Sequence, residues 1–397
     1  MRKKFALKII ILLALAFTAI FPAGQAFAED EKKDVEEQLQ ESVRDQLKDL
    51  DTSLFDKFIY SLDEPRYRIF GAGTFKDKLL KVISGEVPAD IEDTLSVFAE
   101  IFFAEALRAI PIFASIAAVA ILSSLLTFAK SEKFNSGQIV YFVCYIAIVV
   151  IVLNIIYQIV KNVNSNLKVM NELMGLVFPV LLTLMTASGS AMAGTIYQPA
   201  VALLCGSATG IIINIIVPLF VGSIILSVVS NLTDKVKVSK FADFFKSCGQ
   251  WVTGILFTVF MAFLSIQGIT ASTHDSVSIR AVKYAISNSI PLVGGYIKEG
   301  FDLIVGGTLL IKNAVGVSGL VLFFCHIITP LMSIIICSLG LKLVAAVCEP
   351  LCDPKIPAFL QGVAKNFSLL LAAFVSVCFM FTITVMLILM TSNSVMI

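Results

Sequence analysis

Charged residues are too few here for a surface that meets only water. They make up 15% of the 397 residues, against about 25% in ordinary soluble domains. Part of the surface must therefore face lipid, and an ordinary soluble globule is excluded. Two His and one Trp leave little for catalytic or metal chemistry. A Gly-x-x-x-x-Gly-Lys-[Ser/Thr] phosphate loop is missing, so ATP hydrolysis by this chain is not expected. The net charge of +1 gives no electrostatic footing for nucleic acid. None of the eight Cys falls in the polar stretch 29–100, which excludes a disulfide framework there.

What is present is apolar: 57% of residues are hydrophobic and 31 are Phe. Arg2, Lys3, Lys4 and Lys8 precede a short apolar core, and Ala26-Phe27-Ala28 precedes Glu29. This pattern reads as a signal peptide over 1–28, or, if uncleaved, as an anchor. Either way Glu29 starts outside the cytoplasm. Residues 29–100 read as a small extracytoplasmic helical region, acidic at its start. Val35, Leu39, Val43, Leu47 and Leu50 recur at helical spacing. Further helices are expected over 74–84 and 89–109.

Residues 101–397 read as a multi-span transmembrane domain. Apolar runs predict spans near 109–128, 139–160, 173–190, 196–230, 251–271, 314–341 and 367–390. The fold class is all-α, a polytopic integral membrane helical bundle of about seven to eight spans, some broken or re-entrant. An outer-membrane barrel is excluded, because 146–156 and 369–389 are nearly continuous apolar runs rather than alternating ones. Lysines cluster at Lys130/Lys133, at Lys235 to Lys246 and at Lys342 to Lys365, which assigns these loops to the cytoplasm. An odd number of crossings must then lie between 173 and 230, and three short ones satisfy the charges. Residues 272–313 read as an amphipathic helix in the outer interface, with a half-helix or a plain junction near Gly306–Asn313.

No catalytic constellation is legible, and neither an enzyme nor a cofactor is expected. His326, inside an apolar run, is read as a neutral hydrogen-bonded group. Cys348 and Cys352 lack the second pair that a zinc site needs. The informative residues are small or polar ones at places where Leu and Phe would be expected. They are Ser188, Gly189, Ser190, Gly194, Gln198, Pro199, Asn214, Gln267, Gly294, Gly295, Lys312 and Asn313. They serve either close helix packing or the lining of a conduit.

Several of these stand in a series that looks familiar. Met185-Thr186-Ala187-Ser188-Gly189 precedes Tyr197-Gln198-Pro199. Val238-Ser239-Lys240-Phe241-Ala242-Asp243 and Gln267-Gly268 follow, and then Arg280, Lys283, Pro291, Gly294, Gly295 and Lys312-Asn313-Ala314-Val315-Gly316. In content and order, from about Pro179 to the C-terminus, this resembles the stage III sporulation protein AE family. The resemblance implies a multi-pass protein of the mother-cell membrane facing the forespore. It implies membership of a transenvelope channel complex that supports late forespore sigma factor activity after engulfment. The partners it implies are other stage III sporulation membrane proteins, a forespore-side channel partner, an Oxa1/YidC-type insertase and the lipid bilayer. A secondary transporter acting alone is the alternative, although no internal repeat is visible to support it.

Overall fold

The computed structural model describes residues 41–48, 50–70, 73–85, 91–128, 136–232, 238–289 and 294–393. The signal-peptide reading, with Val35 and Leu39, lies outside them. Three short helices open the chain: α1 (Ser53–Tyr60), α2 (Glu64–Phe70) and α3 (Phe75–Ile83). They follow the helical segment 41–48, where Val43 and Leu47 are buried. Thr74 starts α3 through a reciprocal capping box with Asp77. Asp56 accepts a further hydrogen bond from the Phe75 N–H (2.8 Å). Phe55 stacks on Phe75 at 4.1 Å between ring centroids, and both are fully buried.

Long helices follow. These are α4 (Ile91–Phe128), α5 (Ser136–Ala187), α6 (Ala191–Ala202), α7 (Thr209–Ile211), α8 (Val217–Leu232), α9 (Ser239–Ser289), α10 (Gly294–Cys348) and α11 (Lys355–Asn393). Wider π-turns at Leu203–Ala208 and Ile212–Ile216 join α6, α7 and α8 into one nearly continuous rod. Pro218 stands two residues past the second π-turn. Its ring would crowd the carbonyl four residues back in a regular helix, and a wider turn relieves that. Among the described residues six helices, with the α6–α8 rod taken as one, are long and apolar enough to cross a membrane.

The all-α polytopic class is as expected, and the differences lie in where helices end. The stretches 139–160 and 173–190 form one unbroken α5 of 52 residues. Proline and glycine could interrupt the stretch 173–230, yet Pro179 and Pro199 lie inside helices. Only Ser188-Gly189-Ser190 makes a turn, with Gly189 at φ 90, a conformation that glycine adopts freely. Residues 272–313 do not form a separate interfacial helix. α9 runs on to Ser289, and α10 starts at Gly294 and passes straight through Gly306–Asn313. Gly307 is there for proximity rather than for a break. A Cβ on it would stand 3.0 Å from Gln46 Nε2.

α10 is the centre of the bundle. It is apolar all round, a pattern that fits either a span or a deeply buried helix. From Val305 to Cys325 it is mostly buried by protein. Helices α2 and α3, α4, α5 and α11 all pack on it. Segment 41–48 sits on it through Gln46, which accepts from Thr308 Oγ1 (3.1 Å) and donates to the Ile304 carbonyl (3.4 Å). Arg68 of α2 pairs with Glu100 of α4. Helix ends that flank the lysine-bearing stretches meet at the opposite end. Tyr141 near the start of α5 reaches Asp353 in the α10–α11 turn (3.4 Å). Ser223 of α8 donates to the Ala242 carbonyl of α9, and Lys246 of α9 donates to the Lys365 carbonyl of α11.

Exposed side chains divide the bundle along its length. The outward face of α5 shows Ile139, Phe142, Val143, Ile146, Val150 and Leu153. Continuing at the same helical spacing above Tyr157, it shows Lys161, Ser165, Lys168 and Glu172. The rod α6–α8 exposes Gln198, Ser207 and Asn214 above, and Ile215, Ile225 and Val229 below. α4 exposes Glu100 and Arg108 above, and Leu122, Leu125 and Leu126 below, although Phe103 and Leu107 are also outward. On α10 Leu339, Leu343 and Val347 are outward near its lysine-side end, and Ile304 is outward toward the other end.

Candidate functional site

The small and polar residues gather mostly at the end of the bundle away from the lysine junctions. There the α5–α6 turn, the middle of α10 and the last turns of α11 meet. Ser188 Oγ donates to the Met185 carbonyl (2.8 Å), and Ser190 N–H donates to the same carbonyl (3.0 Å). Both serines are buried. Gly194 N–H returns to the Ser190 carbonyl (3.1 Å) as α6 begins. A Cβ on Gly194 would lie 2.9 Å from Thr186 Oγ1, so glycine is what lets α5 and α6 close on each other. One turn further on, Tyr197 is buried with its hydroxyl 2.9 Å from Thr391 Oγ1 of α11.

Lys312 is the unusual group. Its side chain is fully buried in α10. Nζ donates to the carbonyls of Leu389 (3.2 Å) and Ile388 (3.4 Å) near the end of α11. That is the negative end of a helix, where a cation is favoured. Among the described residues no carboxylate lies within ion-pair distance of it. One turn along α10, Gly316 meets Leu389, so closely that a Cβ would overlap its side chain, and Gly319 meets Val177 of α5.

The other sequence candidates are dispersed. Gln198 and Pro199 are exposed on α6, and Asn214 is exposed in the second π-turn. Gln267 is buried in α9 with Oε1 lacking a hydrogen-bond partner among the described residues. Asn313 is half-buried beside Lys312. Gly294 and Gly295 open α10. So Ser188, Gly189, Ser190 and Gly194 share one turn, and Lys312 shares the end of α11 with Tyr197 through Thr391. Gln198, Asn214 and Gln267 stand apart from that meeting point.

Some contacts have no local signature. His326 Nδ1 donates to the carbonyl of Leu322 in its own helix (3.0 Å), not to a neighbouring helix. Its Nε2 lies 3.4 Å from Ser61 Oγ, and Phe58 packs edge-on against the ring. Ser333 donates to Glu105 (2.9 Å). Cys348 and Cys352 are free. Among the described residues no group of three or more His, Cys, Asp or Glu is placed to hold a metal.

The interior between the helices is filled by rings. Phe323 and Phe381 lie 3.8 Å apart, Phe178 and Phe381 5.3 Å, Phe220 and Phe367 5.4 Å, and Tyr145 and Phe359 5.7 Å. These aromatic pairs knit α5, α8, α10 and α11 together at several levels along the bundle.

Fold and surface together define a multi-pass, all-helical membrane protein. Comparison with known proteins narrows that class. Residues 74–392 match the family model for Stage III sporulation protein AE (spore_III_AE), and the chain belongs to that family. It is 24% identical over 323 residues to the Stage III sporulation protein AE of Bacillus subtilis (strain 168), covering 81% of each chain. No solved structure matches it.

Proposed function

We propose that this protein is a non-enzymatic, multi-pass subunit of the transenvelope channel complex that joins mother cell and forespore, needed for late forespore sigma factor activity after engulfment. The observation that supports this most is the family match over 74–392. In this reading the protein sits in the mother-cell membrane facing the forespore. Its lysine-bearing junctions are cytoplasmic, and its N-terminal helices and C-terminus are extracytoplasmic. One crossing by α6–α8, rather than three, carries the chain from α5 back to the cytoplasmic face. An odd number is all that the charges require.

Its partners are other stage III sporulation membrane proteins, a forespore-side channel partner and, during insertion, an Oxa1/YidC-type insertase. In this reading any conduit runs between this subunit and its neighbours, and the ring contacts of Phe381 with Phe178 and Phe323 between α5, α10 and α11 support that. The Ser188–Gly194 turn and Lys312 then act as packing elements that set how α5, α6, α10 and α11 meet. Deleting the gene in a spore-former tests the role. Vegetative growth should be normal, and development should arrest after engulfment. Normal spores, or solute uptake by the purified protein alone in liposomes, would overturn it.

A further inference from the structure

α5 is about 78 Å long for its 52 residues, whereas the hydrocarbon of a bilayer is about 30 Å thick. Most of its length must lie outside lipid unless it bends into two crossings, and its outward face says where. From Ile139 to Tyr157 that face carries large apolar residues. This distance is about 27 Å along the axis, which matches one bilayer. From Lys161 the same face is charged or polar for several turns. A lysine or glutamate facing hydrocarbon costs several kcal/mol, so lipid cannot continue there. The rod α6–α8 changes at Asn214/Ile215 in the same sense. Over the corresponding part of α10, segment 41–48 and helices α2 and α3 take the place that lipid would need.

We infer that lipid surrounds only the lysine-side half of the bundle, and that the rest stands clear of the membrane as a body about 45 Å tall, taking 1.5 Å for each residue from 158 to 187. This rests on the proposed orientation for its side, which is extracytoplasmic. The upper halves of α5, α10 and α11 form its pillar, with α1 to α3 and α6 packed around it. The Ser188–Gly194 turn and Lys312 lie in this body, beyond the hydrocarbon. On α5 the surface it offers is polar, with Lys161, Lys168 and Glu172 outward, while Phe103 and Leu107 of α4 and Ile304 of α10 leave apolar spots on it. It therefore suits the water-exposed domains of extracytoplasmic partners rather than another membrane-embedded helix.

Single cysteines at exposed positions test this in sealed membrane vesicles of known orientation. A membrane-impermeant maleimide is used, and labelling is scored above that of the unsubstituted chain. Lys168→Cys and Thr183→Cys should both label from the extracytoplasmic side, at least tenfold faster than Val150→Cys. Ser165→Cys and Thr186→Cys supply the same comparison if either variant fails to reach the membrane. Thr183→Cys as unreactive as Val150→Cys would mean a second crossing and overturn the inference. Labelling of positions 168 and 183 from opposite faces, or of both from the cytoplasmic side, would overturn it as well. The readout is independent of spore formation, so it stands or falls apart from the sporulation role.

Discussion

Below Tyr157 and above it, α5 is one helix with one outward face, yet the two halves solve different problems. The lower half presents Ile146, Val150 and Leu153 outward and keeps a closely packed inner face. The upper half presents Lys161, Ser165 and Lys168 outward and buries Met170, Met174, Val177, Phe178 and Leu181 inward. Both halves are rich in apolar residues. What differs is which face carries them, and so whether lipid or protein covers them.

A charge breaks this comparison most sharply. Val150→Arg puts a guanidinium into the apolar belt, which should cost about 3 kcal/mol of insertion free energy. Ser165→Arg, four turns up the same face, should stay within about 0.5 kcal/mol. The amount of inserted protein, or an insertion assay on each variant, reads the contrast. Equal losses at both positions would erase the division. Close packing gives the next effect. Gly316→Leu would drive a side chain into Leu389 and should destabilise the protein by about 1–3 kcal/mol. Gly254→Ala, on the outward face of α9 with nothing within 4 Å of a Cβ, should be neutral or stabilising by up to about 1 kcal/mol. Thermal unfolding in detergent compares the two.

Lys312 sharpens the account of the upper body. Lys312→Met keeps the volume and removes a buried cation, so thermal stability should hold or rise by about 1–2 kcal/mol. A fall in melting temperature would show that its bonds to the end of α11 hold the fold together. The smallest effect belongs to the N-terminal helices. Hydrogen bonds from the Thr74 side chain and backbone hold the Asp77 carboxyl below its ordinary value of 3.8. Its contribution is therefore complete above that value and is lost as pH falls through the lower, folded-state value. Asp77→Asn should remove about 0.5–1 kcal/mol above pH 4 and flatten the acid dependence of these helices. Hydrogen exchange in α3 reports it.

The residues revealed a good deal of this unaided. The run 109–128 is the lower part of α4, and Thr74 and Ser84 flank α3 as its caps. The stretch 173–190, expected as a helix of its own, is instead the continuation of α5 as far as Ala187. Hydropathy records that Leu173, Val177 and Leu181 avoid water, but not that α10 and α11 shield them. The contacts of Gln46 with Thr308 and of Ser61 with His326 join residues more than 250 positions apart, and no local pattern announces them. Gly306–Gly307 looked like a break because glycine serves both turns and close approach, and only the neighbouring segment 41–48 tells the two apart. At the candidate site, the small residues of Ser188–Gly194 are visible from composition, whereas the turn they make is fixed by the packing of α5 on α6. The Tyr197–Thr391 contact depends on where α11 ends and is not visible there.

Cryo-electron microscopy of the protein in a lipid nanodisc asks the central question directly. The account predicts density rising about 45 Å from one face of the disc, with α5 straight through its exit point and the lysine junctions at the opposite face. An α5 bent near residue 165 so that both halves lie within the disc, with little density outside it, would contradict it.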